Sequence, residues 1–345
     1  MKNKIGVLLA AIMFITMPAW AGDMEPKQED IFDSSLHKTA RGMKFWYSKE
    51  NDGFEKVTGV PYGELPCGSC HVRSCDICHA AEKDGKKVYS ESAAKEQDRC
   101  LKCHVKHAAI YKLDRENQED NPHNAKGMAC VDCHSAGDLH GDGILYDSMK
   151  QPGAIAAKCE TCHSDIEKSV SHTVHGDKLD CTACHVRQVV SCANCHMGTL
   201  KKEHKKVYLP FSGWTFLLNY RGKVASANMQ TFVAENKKGF LIFAPQYSHS
   251  LREKGRLCNE CHGIEVLNRM DAGKLVLLKI DNGQLVQAEK GVIPIAEGVE
   301  YRCALMDRVN DAWVPIEGEN ALESHFPAFG RPLSKEQMDD LKEKR

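Results

Sequence analysis

After its first twenty residues the chain has no apolar run near the ~18 residues that a membrane-crossing helix needs. Nor is there an excess of charge. The 46 Lys and Arg stand against 47 Asp and Glu, so there is no basic footprint for nucleic acid and that class is set aside. Aromatic residues are scarce, at 7% of 345 residues, a length that fits roughly two domains on a prior of ~150 residues each. Hydrophobic residues at 42% and charged residues at 27% are ordinary for a globular protein, which excludes disorder as the main theme.

The start of the chain reads as an address. Lys2 and Lys4 precede an apolar stretch from Ile5 to Met17, and Ala19-Trp20-Ala21 has the small-x-small cleavage pattern. Residues 1–21 are therefore expected to be a signal peptide cut after Ala21, leaving a mature chain that starts at Gly22. No cysteine follows the cut, so the lipoprotein reading fails. The expectation is an exported protein, periplasmic or extracellular, with no transmembrane segment in the mature chain. An uncleaved anchor is the competing reading.

What the chain has in excess is cysteine, 17, with 17 histidines. The pattern Cys-x-x-Cys-His occurs eight times. The first three copies are Cys67, Cys70 and His71; Cys75, Cys78 and His79; and Cys100, Cys103 and His104. The next three are Cys130, Cys133 and His134; Cys159, Cys162 and His163; and Cys181, Cys184 and His185. Cys192, Cys195 and His196 make the seventh, and Cys258, Cys261 and His262 the eighth. Only Cys303 stands outside the repeat, in a stretch that reads as a half-buried strand with an inert buried thiol.

This is the pattern of c-type haem attachment. Thiols at i and i+3 lie on one side of a helical turn, where they can add to the two vinyl groups of a porphyrin. The adjacent histidine then turns onto the iron. Zinc knuckles do not need a histidine after every second cysteine. Disulfides across i,i+3 would close tiny loops and stabilise little. A thioredoxin-like motif would want one copy in a βαβ setting. The expected cofactor is therefore eight covalently attached haem c groups.

Eight motif histidines are proximal ligands on this reading, and nine others remain. His37, His107, His123, His140, His172, His175, His204 and His249 are the expected distal set, with His325 to spare. His107 follows His104 by three residues on one turn, so it should serve a neighbouring haem. Met and Lys are the other candidate sixth ligands, and none stands out by spacing.

With so many porphyrins on so few aromatics, the expected fold is a multihaem cytochrome c of mainly short α-helices and irregular chain around a packed haem core. β-Hairpins are expected between haems 7 and 8 and in the C-terminal part. Residues 1–21 would be the signal peptide and 22–205 a seven-haem region. Residues 206–262 would be a strand-containing segment with the eighth haem, and 263–345 a haem-free C-terminal region. Ser334 with Gln337 three residues later reads as a capping box for a terminal helix.

His123-Asn124-Ala125-Lys126-Gly127-Met128-Ala129 running into the fourth motif, then Leu139-His140-Gly141-Asp142-Gly143, resembles multihaem cytochromes related to octahaem tetrathionate reductase and hydroxylamine oxidoreductase. Leu179-Asp180 before the sixth motif, with the seventh close behind, is similar too, as are His249 and Arg256 ahead of the eighth. The resemblance covers roughly residues 60 to 262. It implies a packed haem chain with His123 and His140 as distal ligands. The reductases of this family keep one haem with a lysine or an open distal side, and no spacing here assigns that lysine. No Cys-x-x-Cys-Lys variant occurs, and the C-terminal region does not supply a helix with a cross-linking tyrosine.

The expected function is electron relay through bis-histidine haems. The alternative is an oxidoreductase acting on a small nitrogen or sulfur oxyanion (tetrathionate, nitrite, hydroxylamine) at one open or Lys-ligated haem. No catalytic residue is assigned. Loss of Lys2 and Lys4 would take the formal charge from −1 to −3, and sixteen propionates against eight ferric porphyrin cations would take it to about −11. Redox partners should therefore present a basic docking surface.

Overall fold

The computed structural model describes residues 28–66, 72–166, 169–318 and 321–343. The expected signal peptide and the first motif, Cys67, Cys70 and His71, lie outside the described residues. The two halves of the chain are built differently. From residue 28 to the sixth motif the backbone runs as short helices and turns, with one small hairpin, β1 (Ala80–Lys83) and β2 (Lys86–Tyr89). Among the described residues the longest helix in this half is α1 (Val105–Glu116), followed along the chain by the shorter α2 (Ala136–His140) and α3 (Val170–His175).

From the seventh motif onward the chain builds sheets. Strands β3 (Val189–His196), β4 (Leu209–Tyr220), β5 (Lys223–Val233) and β6 (Gly239–Pro245) form the centre of one mixed sheet, and α4 (Met197–Glu203) follows β3 directly. The hairpin β4–β5 is paired from Tyr220↔Lys223 to Phe216↔Ala227 and then opens. β3 fills the fork, antiparallel to β4 and parallel to β5. β7 (Lys274–Asp281) and β8 (Gln284–Gln287) form a hairpin that β10 (Glu300–Cys303) joins in parallel. β9 (Gly291–Pro294), β13 (Glu323–His325) and β14 (Gly330–Arg331) extend the large sheet, while β11 (Met306–Val309) and β12 (Ala312–Pro315) pair with each other. Helix α5 (Lys335–Lys342) closes the described chain, its Ser334–Gln337 capping box in place.

This corrects the expected fold. A core of ordinary side chains exists, and all of its buried members lie between Ala183 and Leu341. The reason is visible in β4, β5 and β6, whose buried residues run continuously instead of alternating. Such runs belong to strands covered on both faces. Trp214, Phe216, Leu218, Met229, Leu241 and Phe243 fill the interior, and the most deeply buried aromatics of the described residues lie there. Sheets, with short helices on the motif side, replace the expected haem-cored helical fold. Cys303 is fully buried in β10, and burial pushes its thiol up to about 12.

Candidate haem-binding site

Six of the seven described motifs fold as the spacing demands. In five of them the histidine N–H returns to the carbonyl of the first cysteine: His79 to Cys75 (2.8 Å), His104 to Cys100 (3.0 Å), His134 to Cys130 (2.9 Å), His163 to Cys159 (2.9 Å) and His262 to Cys258 (2.8 Å). The sixth motif forms the helix Cys181–His185, capped by Asp180, whose side chain accepts from Thr182 N. One helical turn brings the two thiols of each motif to the same side.

Each of these six motif histidines faces a histidine from outside the motifs. Ring centres are 6.0 Å apart for His79–His140, 6.1 Å for His37–His104 and 6.0 Å for His123–His163. They are 6.3 Å apart for His172–His185, 6.0 Å for His175–His262 and 6.4 Å for His134–His249. An imidazole nitrogen sits ~2 Å from a first-row metal, so two rings sharing one ion have their centres roughly 6 Å apart. Direct stacking would be tighter. Helix α3 supplies both His172 and His175, three residues apart on one face, to two different motifs.

In five of these twelve rings the second nitrogen is held, while Nδ1 of His249 is buried without a partner. His37 Nδ1 pairs with Leu139 O (3.1 Å), His134 Nδ1 with Asp138 Oδ2 (3.2 Å) and His175 Nδ1 with Ser171 O (2.8 Å). His185 Nδ1 pairs with Arg252 O (3.3 Å) and His262 Nδ1 with Asp340 O (2.9 Å). Such partners fix the tautomer and leave Nε2 for a metal. Burial lowers the basicity of His37, His104, His123, His140 and His249, the last to about 4, so these rings are neutral at pH 7. Sequence reasoning missed these supports. Asp138 could have been read from its i,i+4 spacing to His134, but the carbonyl partners leave no sequence signal.

The motifs also form a row. Cys78 is within electrostatic reach of Cys100 and Cys103, and the Cys100 thiol lies beside that of Cys130. Cys133 lies within electrostatic reach of Cys162, Cys159 lies beside Cys181, and Cys184 lies near Cys261. Motifs two, three, four, five, six and eight therefore hand on from one to the next.

Large apolar side chains lie exposed beside these motifs. They include Ile77 inside the second, Val105 after the third, Ile166 after the fifth, and Val170 (81% exposed) and Val174 on α3. Leu257, 67% exposed, immediately precedes the eighth. A porphyrin held at each motif would cover apolar side chains of this kind. Paired imidazoles, thiol pairs and exposed apolar side chains beside them together fit a covalently held porphyrin.

The seventh motif departs from this pattern. It lies in β3, where a bulge with Asn194 at positive φ (53°) sets Cys192 opposite Gln230 and Cys195 opposite Phe232. Three residues thus span two on the partner strand, which brings both cysteines to one face. His196, opposite Val233, falls on the other face. Its Nε2 bonds Asp307 Oδ1 (3.0 Å), its Nδ1 bonds Thr199 Oγ1 (2.9 Å), and Lys237 pairs with Asp307 (2.9 Å). The run Val189-Val190-Ser191 ahead of the motif was the available strand signal. On the cysteine face Lys106 reaches Asn228, within electrostatic range of Cys192 and Cys195, and burial lowers its basicity.

Two expected distal ligands, His107 and His204, and the spare His325 have other surroundings. His107 lies 5.9 Å from His104 and 4.3 Å from His249, its buried Nδ1 unpartnered and its basicity lowered by burial to about 3. His204 is exposed at the left-handed C-cap of α4. His325 sits among Phe54, Phe240 and Glu323.

The chain is similar to the cytochrome c-type protein NrfB of Haemophilus influenzae, 25% identical over 159 residues. That match covers 37% of this chain and 66% of the relative, just under two thirds of its length. No protein-family model and no solved structure matches the chain. Among the described residues no helix is long and apolar enough to cross a membrane.

Proposed function

We propose that this chain is an exported multihaem c-type cytochrome that relays electrons, with one haem at each Cys-x-x-Cys-His motif, eight in all. The observation that carries this reading is the six motif histidines each facing a non-motif histidine at 6.0–6.4 Å. Haem iron supplies one-electron chemistry, and two imidazoles keep it low-spin and closed to substrate. The protein's own part is to hold the ligand pairs rigidly and to keep consecutive motifs adjacent. His37, His123, His140, His172, His175 and His249 are the distal ligands on this reading.

A second reading attaches to the seventh motif. Lys106, half-buried on the cysteine face while His196 is engaged by Asp307, favours one centre with an amine in place of an imidazole. Such a centre would suit reduction or oxidation of a small nitrogen or sulfur compound, as the family resemblance implies.

Cyanide binding to the oxidised, haem-loaded protein separates the two. A relay with every site filled binds cyanide poorly. Stoichiometric binding at one haem, with tetrathionate, nitrite or hydroxylamine then oxidising or reducing the protein within seconds, establishes the enzyme and overturns the relay.

A further inference from the structure

The segment between Leu251 and Arg256 is laid along the sixth motif and leads directly into the eighth. Arg252 N donates to His185 O (2.9 Å), and Arg252 O accepts from His185 Nδ1 (3.3 Å). The backbone of Arg256 lies beside the Cys184 sulfur. A Cβ on Gly255 would lie 3.7 Å from Cys184 Cβ and 3.8 Å from His185 Nε2, ordinary contact distances that place the strap alongside the ring. At its end the Arg256 side chain is only 7% exposed.

That guanidinium is fixed from several directions. Nη2 donates to Val186 O (2.7 Å), Arg187 O (3.0 Å) and Thr215 Oγ1 (2.8 Å). Nη1 reaches Glu260 Oε1 at 3.4 Å, while Nε is buried without a partner. Glu260 lies inside the eighth motif, where it also takes Arg252 Nη1 (2.8 Å) and Leu257 N (2.7 Å). Two arginines against one carboxylate leave one net positive charge. It lies within electrostatic reach of both the Cys184 and the Cys261 sulfur. Arg269, nearby, pairs with both Glu265 and Glu289, and Lys290 lines the same pocket, so that second cluster carries no net charge to cancel the first.

Burying a guanidinium that is not fully paired is costly, so a surplus cation here calls for something anionic or electron-rich between the two motifs. Adding an electron to a haem adds one negative charge, and a fixed cation nearby favours that state. We propose that Arg256 is a potential-setting residue that makes the centres at the sixth and eighth motifs the high-potential end of the row, where electrons collect. This rests on the haem-relay reading above. It gives the row a direction, from the second motif toward the eighth, that the ligand pairs alone do not.

Spectroelectrochemical titration of the haem-loaded protein tests it. Arg256→Gln should lower the potential of one or two haems by about 59 mV or more, a tenfold shift in their oxidised-to-reduced ratio at fixed potential. Arg256→Lys should hold those haems near their original values, and Glu260→Gln should raise them. If Arg256→Gln does not load haem, the Glu260→Gln rise and the Arg256→Lys rescue carry the test. Potentials that stay put in Glu260→Gln and Arg256→Gln, with full haem content, overturn the inference and leave the relay reading standing. Absence of haem from the unsubstituted protein overturns the relay reading itself.

Discussion

Among single residues, the non-motif histidines separate into those that face a motif ring and those that do not. His140 lies 6.0 Å from His79, so His140→Ala should turn one haem high-spin while the denatured mass changes only by the side chain. His204, exposed at the end of α4, was expected as a ligand from the histidine arithmetic alone. His204→Ala should leave the optical spectrum unchanged, and a new high-spin band would contradict its placement. The sequence showed which histidines were spare but not which met which, because partners such as His37 and His104 are brought together only by tertiary packing. Lys150 offers a test by pH. Its ammonium lies 3.7 Å over the Tyr247 ring, and burial lowers it from its ordinary 10.5 to about 8. Between those values the unfolded chain binds more protons than the folded one, so this group makes stability rise with pH from about 8 to 10.5. Chemical denaturation across that window should show a shallower rise in Lys150→Met than in the unsubstituted protein.

At the scale of elements, the motif spacing sets a helical turn only where the neighbouring sequence allows one. Six motifs obey it; the seventh, behind a β-branched run, is pulled into β3 and needs a bulge to keep its cysteines together. The runs that form β4–β6 and the β7–β8 hairpin were legible as strands. Their weight was not, because period-2 reasoning looks for alternation and these strands are buried on both faces. The terminal helix shows how an element remote in sequence supports the site. α5 presents Asp340 O to His262 Nδ1 (2.9 Å), and Leu341 O to Gly263 N (2.9 Å). Ser334→Ala removes the α5 cap at a cost of ~1 kcal/mol. It should broaden the spectral signature of one haem without changing haem content, a result that circular dichroism with absorption spectroscopy can check.

Across the whole molecule, the described structure joins a side-chain-cored sheet region to a motif region whose apolar walls lie open. The first is stable by ordinary burial, and the second needs its cofactors. Haem-free chain should therefore show protease-sensitive residues 72–180 beside a resistant sheet region, and haem loading should protect both. On the proposed reading, with eight haems and the first 21 residues removed, the oxidised protein carries a charge of about −11, so electron exchange with a basic partner should slow as salt rises. The most direct measurement is low-temperature electron paramagnetic resonance of the fully oxidised, haem-loaded protein, integrated against a low-spin standard. With six imidazole pairs at 6.0–6.4 Å, low-spin ferric signals should account for at least six irons, and any high-spin signal for no more than the remaining two. A spectrum in which high-spin iron predominates would contradict the paired ligands and the relay built on them.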